Sequence, residues 1–100
     1  MNINKLVLEL LALSLYITQK TKYNCWFDYS GNVDYIDIYC RPKTGNTNNR
    51  AYEKTFWIAG NLCISIEDLK KIVSDLKKIA NEEMNEFLSL ADEVESTNNE

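Results

Sequence analysis

Histidine is absent from this 100-residue chain, proline occurs once, and glycine and cysteine occur three times each. Each scarcity excludes something. Without histidine, no Ser–His or Cys–His pair can activate a nucleophile. The cysteines, Cys25, Cys40 and Cys63, show no C-x-x-C spacing, so nothing points to a metal site. An odd number of cysteines inside apolar runs reads as reduced, buried residues and a cytoplasmic setting. The glycines stand at 31, 45 and 60 and form neither G-x-G-x-x-G nor G-x-x-x-x-G-K-[ST], so phosphate-cradling motifs are missing. Long hydrophobic runs are missing too. The stretch 6–17 is interrupted by Glu9 and falls short of the about 20 residues a membrane span needs. No A-x-A site follows it, so a cleaved leader is not expected and no membrane partner is implied.

Acid–base chemistry has little to work with. Asp28 and Asp37 are placed to approach each other, but no base, cleft-forming loop or third ligand accompanies them. The simpler reading is a pair of surface aspartates. The expectation is a non-enzyme with no catalytic residues, no cofactor and no metal.

What is present is an uneven charge. The net charge is −4. The first 78 residues carry eleven basic and eight acidic side chains, a net +3, whereas residues 79–100 carry seven acids and no base. An acidic chain makes a general nucleic-acid binder unexpected, because phosphate binding needs a basic surface. The acidic end is either a solvated helix face with a tail or a surface aimed at a basic partner.

Apolar residues recur at helical spacing near the N-terminus: Ile3, Leu6, Val7, Leu10, Leu11 and Ile17, with Ser14 in the same row. Asn2 or Asn4 is placed to cap this helix. Its other side carries Leu8, Ala12, Leu15 and Tyr16. A helix apolar nearly all round needs cover on more than one side, from this domain, a second copy or another protein.

A β-hairpin is expected over residues 23–40. Taking Gly31-Asn32 as a two-residue turn pairs Ser30 with Val33 and Phe27 with Ile36. Tyr23, Cys25, Phe27, Ile36, Ile38 and Cys40 then share an inner face. Asn24, Trp26, Asp28, Tyr35, Asp37 and Tyr39 share the outer one. Residues 41–50, "RPKTGNTNNR", read as a loop. A third strand follows, with Tyr52, Lys54, Phe56 and Ile58 assigned inward and Trp57 outward. Ser65 is the expected N-cap of a long C-terminal helix, with Asp68 three residues on and an Ile64–Leu69 staple. Its stripe runs from Leu69 to Val94, and the polar run 81–85 is the place for a bend or a break.

The expected fold class is therefore α+β, in the order α-β-β-β-α. A three-stranded antiparallel sheet is flanked by an N-terminal helix and a long C-terminal one, either whole or broken. Residues 1–95 form a single domain and 96–100 a frayed acidic tail. The residues expected to bind a partner are Trp26, Asp28, Tyr35, Asp37 and Tyr39 on the outer sheet face, and Glu82, Glu83 and Glu86 on the acidic helix. Single-strand binders interleave their aromatics with Lys and Arg, whereas the neighbours here are mainly acidic. That favours a protein partner of basic character, with Trp and Tyr as anchors, unless a helix covers the face.

Size, element order, the acidic C-terminal part and the opening "MNIN" at Met1–Asn4 together resemble the small acidic phage-encoded anti-CRISPR inhibitors of type II systems. The resemblance implies a phage or prophage accessory protein in the cytoplasm of a bacterial host. Its partner would be a CRISPR–Cas effector nuclease, inhibited without catalysis and with no direct nucleic-acid contact. It further implies DNA mimicry, in which carboxylates occupy a site that reads DNA through Arg and Lys. The alternatives are a self-associating structural or regulatory module, for which a homodimer is expected, and a small nucleic-acid-binding regulator using the +3 region.

Overall fold

The structure, a computed structural model, describes residues 2–81. Helix α1, Ile3–Lys20, starts at Asn2, whose side chain accepts from the Asn4 N–H at 2.7 Å. It stops at Thr21, which has extended backbone and donates its N–H to the Ile17 carbonyl. The Thr21 hydroxyl donates to the same carbonyl at 2.7 Å and accepts from the Tyr23 N–H, turning the chain directly into β1. Lys43 Nζ donates to the Thr18 and Thr21 carbonyls, both at 2.6 Å. The last turn of α1 is thus closed by a cation, where the helix dipole favours one.

Strands β1 (Tyr23–Ser30), β2 (Tyr35–Pro42) and β3 (Tyr52–Trp57) form an antiparallel sheet in the order β1-β2-β3. The element order is α-β-β-β-α, as the sequence predicts, and the fold is a mixed α+β one with an open sheet.

The hairpin register differs from the sequence expectation. Cys25 pairs with Cys40, Phe27 with Ile38 and Ser30 with Tyr35, so four residues, 31–34, make the loop instead of two. Val33 N–H closes a turn onto the Ser30 carbonyl, and the left-handed position is Asp34, with φ 50°. Aspartate tolerates that region, and here the Tyr29 hydroxyl donates to its Oδ1 at 2.7 Å. Gly31 does not take the positive φ that a two-residue turn requires. The register therefore moves by two, which preserves every inward and outward assignment because side chains alternate with period two. The loop after β2 also starts later than expected. Arg41 and Pro42 belong to the strand, opposite Asn24 and Tyr23, and Lys43 N–H donates to the Lys22 carbonyl beyond them.

Helix α2, Ile66–Ala80, is capped by Ser65, whose side chain accepts from the Asp68 N–H at 3.1 Å. It ends at Ala80, with Asn81 at the cap, where the polar run begins. Leu6, Leu10 and Ile17 of α1 meet Leu69, Ile72, Val73 and Leu76 of α2 over Ile36, Ile38, Cys40 and Phe56 of the sheet. Both helices thus pack on the inner face. The buried Ser14 hydroxyl is satisfied by the Leu10 carbonyl at 2.8 Å. The opposite side of α1 is not buried by the described core: Leu8, Leu15 and Tyr16 are exposed, and so is Leu11, which the sequence grouped with the buried row but which the helix turns outward. No described helix is long and apolar enough to cross a membrane.

Candidate partner-binding face

With both helices on the inner side, the outer side of the sheet is open among the described elements. Trp26 and Trp57, 36% and 39% exposed, mark its two flanks. The strand register decides what they flank. Trp26 lies opposite Tyr39, and their rings stack with centroids 5.0 Å apart and planes 13° from parallel. Two residues along the face, Asp28 lies directly opposite Asp37, with Thr55 on the other side of Asp37. Two residues further, Tyr35 meets Trp57 edge to face at 4.9 Å. A pair of carboxylates is thereby set between two aromatic pairs, each a favourable geometry for such rings.

Trp26, Asp28, Tyr35, Asp37 and Tyr39 are thus brought together on one surface, as the sequence predicts. Glu82, Glu83, Glu86 and the tail 96–100 lie outside the described residues.

The carboxylate pair is electrostatically unfavourable where it stands. Like charges directly opposite on neighbouring strands repel. Asp37 Oδ1 is also shut away from solvent without a hydrogen-bond partner. Buried polar atoms are nearly always partnered, so this oxygen is an exception on the face.

Two arginines join the face, and the sequence reading placed neither of them there. The Arg41 guanidinium sits 5.2 Å from the centroids of both the Trp26 and the Tyr39 ring, and its Nε has no partner. Arg50 lies 3.9 Å from the Tyr39 centroid and donates to Glu53 Oε2 at 2.8 Å. That bond, and more remotely the Asp37 charge, raises the Arg50 pKa above its ordinary value. Arg41 shares the parity of Tyr39, which was a usable signal once β2 is extended to it. Arg50 sits outside the strands and reaches the face only through the fold of the preceding loop. The Tyr39 end of the face therefore carries both arginines, Arg50 paired with Glu53 opposite Tyr39, and the middle carries the two aspartates.

The remaining titratable groups are local. Tyr52 Oη donates to Asp75 Oδ2 at 3.0 Å, and burial, followed by that bond, holds its pKa well above the usual phenol value. Among the described residues, no group of three or more Cys, Asp or Glu side chains is placed to hold a metal ion. No family model, curated protein or solved structure matches the chain.

Proposed function

We propose that the protein is a non-catalytic inhibitor that docks a basic protein partner on its open sheet face. The observation that carries this reading is the Asp28–Asp37 pair held between Trp26–Tyr39 and Tyr35–Trp57. A guanidinium or ammonium group entering between the ring pairs would neutralise the two carboxylates. It would also gain from the ring faces. Trp and Tyr supply the rigid anchors that dominate protein interfaces.

A surface rich in Arg and Lys for such a group to come from is what a nucleic-acid-reading protein displays. The resemblance to anti-CRISPR inhibitors points to a CRISPR–Cas effector nuclease of a bacterial host. Cleavage of a target duplex by a type II effector, with and without the protein, tests this. The protein should slow cleavage, and Asp28→Asn with Asp37→Asn should relieve the block while leaving the circular dichroism spectrum unchanged. Undiminished cleavage in the presence of the unaltered protein would remove such an effector as the partner.

A second reading rests on Arg41 and Arg50, which lie over the rings of Trp26 and Tyr39. Arginine interleaved with aromatics is the pattern of single-strand binders. Against it stand Asp28 and Asp37 on the same surface, and the Glu53 carboxylate already bonded to Arg50. A gel shift with single-stranded oligonucleotides at low salt separates the two readings.

A further inference from the structure

The exposed side of α1 has a pattern that the sheet face does not explain. Asn4, Leu8, Leu11 and Leu15 follow one another at spacings of four, three and four, with Ala12 and Gln19 beside them, and all six are exposed. Leu8 is 65% and Leu15 56% exposed, and with Leu11 they form one contiguous apolar row. Apolar residues at alternating spacings of four and three form the seam of a helix pair. No charged side chain interrupts the row, and the nearest ones, Lys5 and Glu9, flank it.

The row is also symmetric about its own centre. Turned end for end, Leu8 falls on Leu15, Leu11 on Ala12, and Asn4 on Gln19. We infer that the α1 row Asn4–Leu8–Leu11–Ala12–Leu15–Gln19 is a self-complementary surface on which a second copy of this chain docks, α1 against α1, antiparallel, about a two-fold axis between residues 11 and 12.

Shape supports that pairing over a parallel one. A groove of about 370 Å³ runs beside the N-terminal half of the row, walled by Val7, Leu8, Leu11, Phe27 and Tyr29. In the antiparallel pair each groove receives Leu15 of the other copy, knob into hole. In a parallel pair groove would face groove and Lys5 would face Lys5. The large Leu11 opposite the small Ala12 permits close approach of the two backbones. A two-fold contact uses one patch twice, so each pairing of this kind occurs in duplicate. The aromatic sheet face is on the far side of the sheet from α1, so both copies keep it open and the assembly is bivalent.

Sedimentation equilibrium between ~1 and ~100 μM tests the proposal, since association is concentration-dependent. The expected species has twice the 11.6 kDa mass of the chain. Leu8→Glu should weaken association by more than ~100-fold, because it buries an unpaired carboxylate twice per dimer. Leu8→Glu combined with Leu15→Lys should restore it, because antiparallel pairing sets the introduced carboxylate against the introduced ammonium. A parallel pair would instead set like charges together and gain nothing. Both positions are solvent-exposed, and an unchanged circular dichroism spectrum confirms that each variant is folded. A monomer across the whole range overturns the proposal, as does a dimer that Leu8→Glu leaves intact or that the double variant fails to restore.

Discussion

Thr18 holds Cys25 by both of its backbone groups: the threonine hydroxyl accepts from the Cys25 N–H at 2.8 Å and donates to the Cys25 carbonyl at 3.1 Å. Those groups therefore point away from β2, toward the free edge of β1. A side chain from the neighbouring helix takes the place that another strand would fill, and an otherwise open edge is closed at this point. Thr18→Val keeps the shape and removes both bonds. Leaving a backbone donor and acceptor unpartnered costs about 1–3 kcal/mol. Urea denaturation should show the unfolding free energy falling by that amount through a lower midpoint, with the slope unchanged.

The same orientation makes Cys25 and Cys40 a non-hydrogen-bonded pair, the class in which facing residues come closest. The facing thiols perturb each other: Cys40 lowers the Cys25 pKa, while Cys25 and burial push the Cys40 thiol far up. Antiparallel neighbours at about 4.5 Å between Cα atoms lie within the range a disulfide spans. An azo oxidant such as diamide, which accepts two electrons and two protons, should therefore couple Cys25 to Cys40. Of the three free thiols, only that of Cys63 should then remain open to alkylation after denaturation. Three alkylated thiols after treatment would show the pair to be locked apart.

Much of this arrangement was legible in the sequence. Period-two alternation from Tyr23 to Cys40 assigned every hairpin side chain to its correct face, and Ser65 before Asp68 marked the start of α2. The register was not legible. Gly31-Asn32 looks like a two-residue turn, but the loop is decided by the Tyr29–Asp34 hydrogen bond and by aspartate's tolerance of positive φ, which leave no periodic trace. For the same reason the Cys25–Cys40 opposition could not be read from spacing, and Asp28 and Asp37 were legible as neighbours on the face but not as a directly facing pair. Arg50 shows a second limit. Its approach to Tyr39 depends on where an irregular loop ends, and no local pattern encodes that.

Tyr52 and Asp75 tie β3 to α2 through a single hydrogen bond across 23 positions of sequence. Tyr52→Phe should cost about 1 kcal/mol at neutral pH, allowing for the partial exposure of the site. The pH dependence follows from the direction of the shift. The folded pKa of Tyr52 is raised above its unfolded value, so the neutral phenol is the form that favours folding. Its contribution is intact below pH about 10, where an unfolded tyrosine titrates. It is lost as pH climbs from there toward the folded value. The stability difference between the unaltered protein and Tyr52→Phe should therefore shrink in alkaline denaturation series above pH about 10. A difference that stays constant would place the stabilisation elsewhere than in the phenol.

The Asp28–Asp37 opposition makes the most diagnostic prediction, because it separates folding from binding. Facing like charges on adjacent strands are destabilising. Asp28 is exposed and has no described hydrogen bond that its replacement would break. Asp28→Asn should thus raise the melting temperature, by a few degrees at most in a domain of this size. A carboxylate kept at a cost to stability should show its value in binding. The same substitution should weaken capture of a basic partner, and the loss should be largest at low salt, where the electrostatic contribution is least screened. Trp26→Ala supplies the contrast: it should cost about 2 kcal/mol or more of binding with little dependence on salt, because the ring acts through short-range contact and cation–π attraction. A variant Asp28→Asn that is less stable and binds unchanged would show the carboxylate pair to be structural, and would remove the central support for a cation-accepting face.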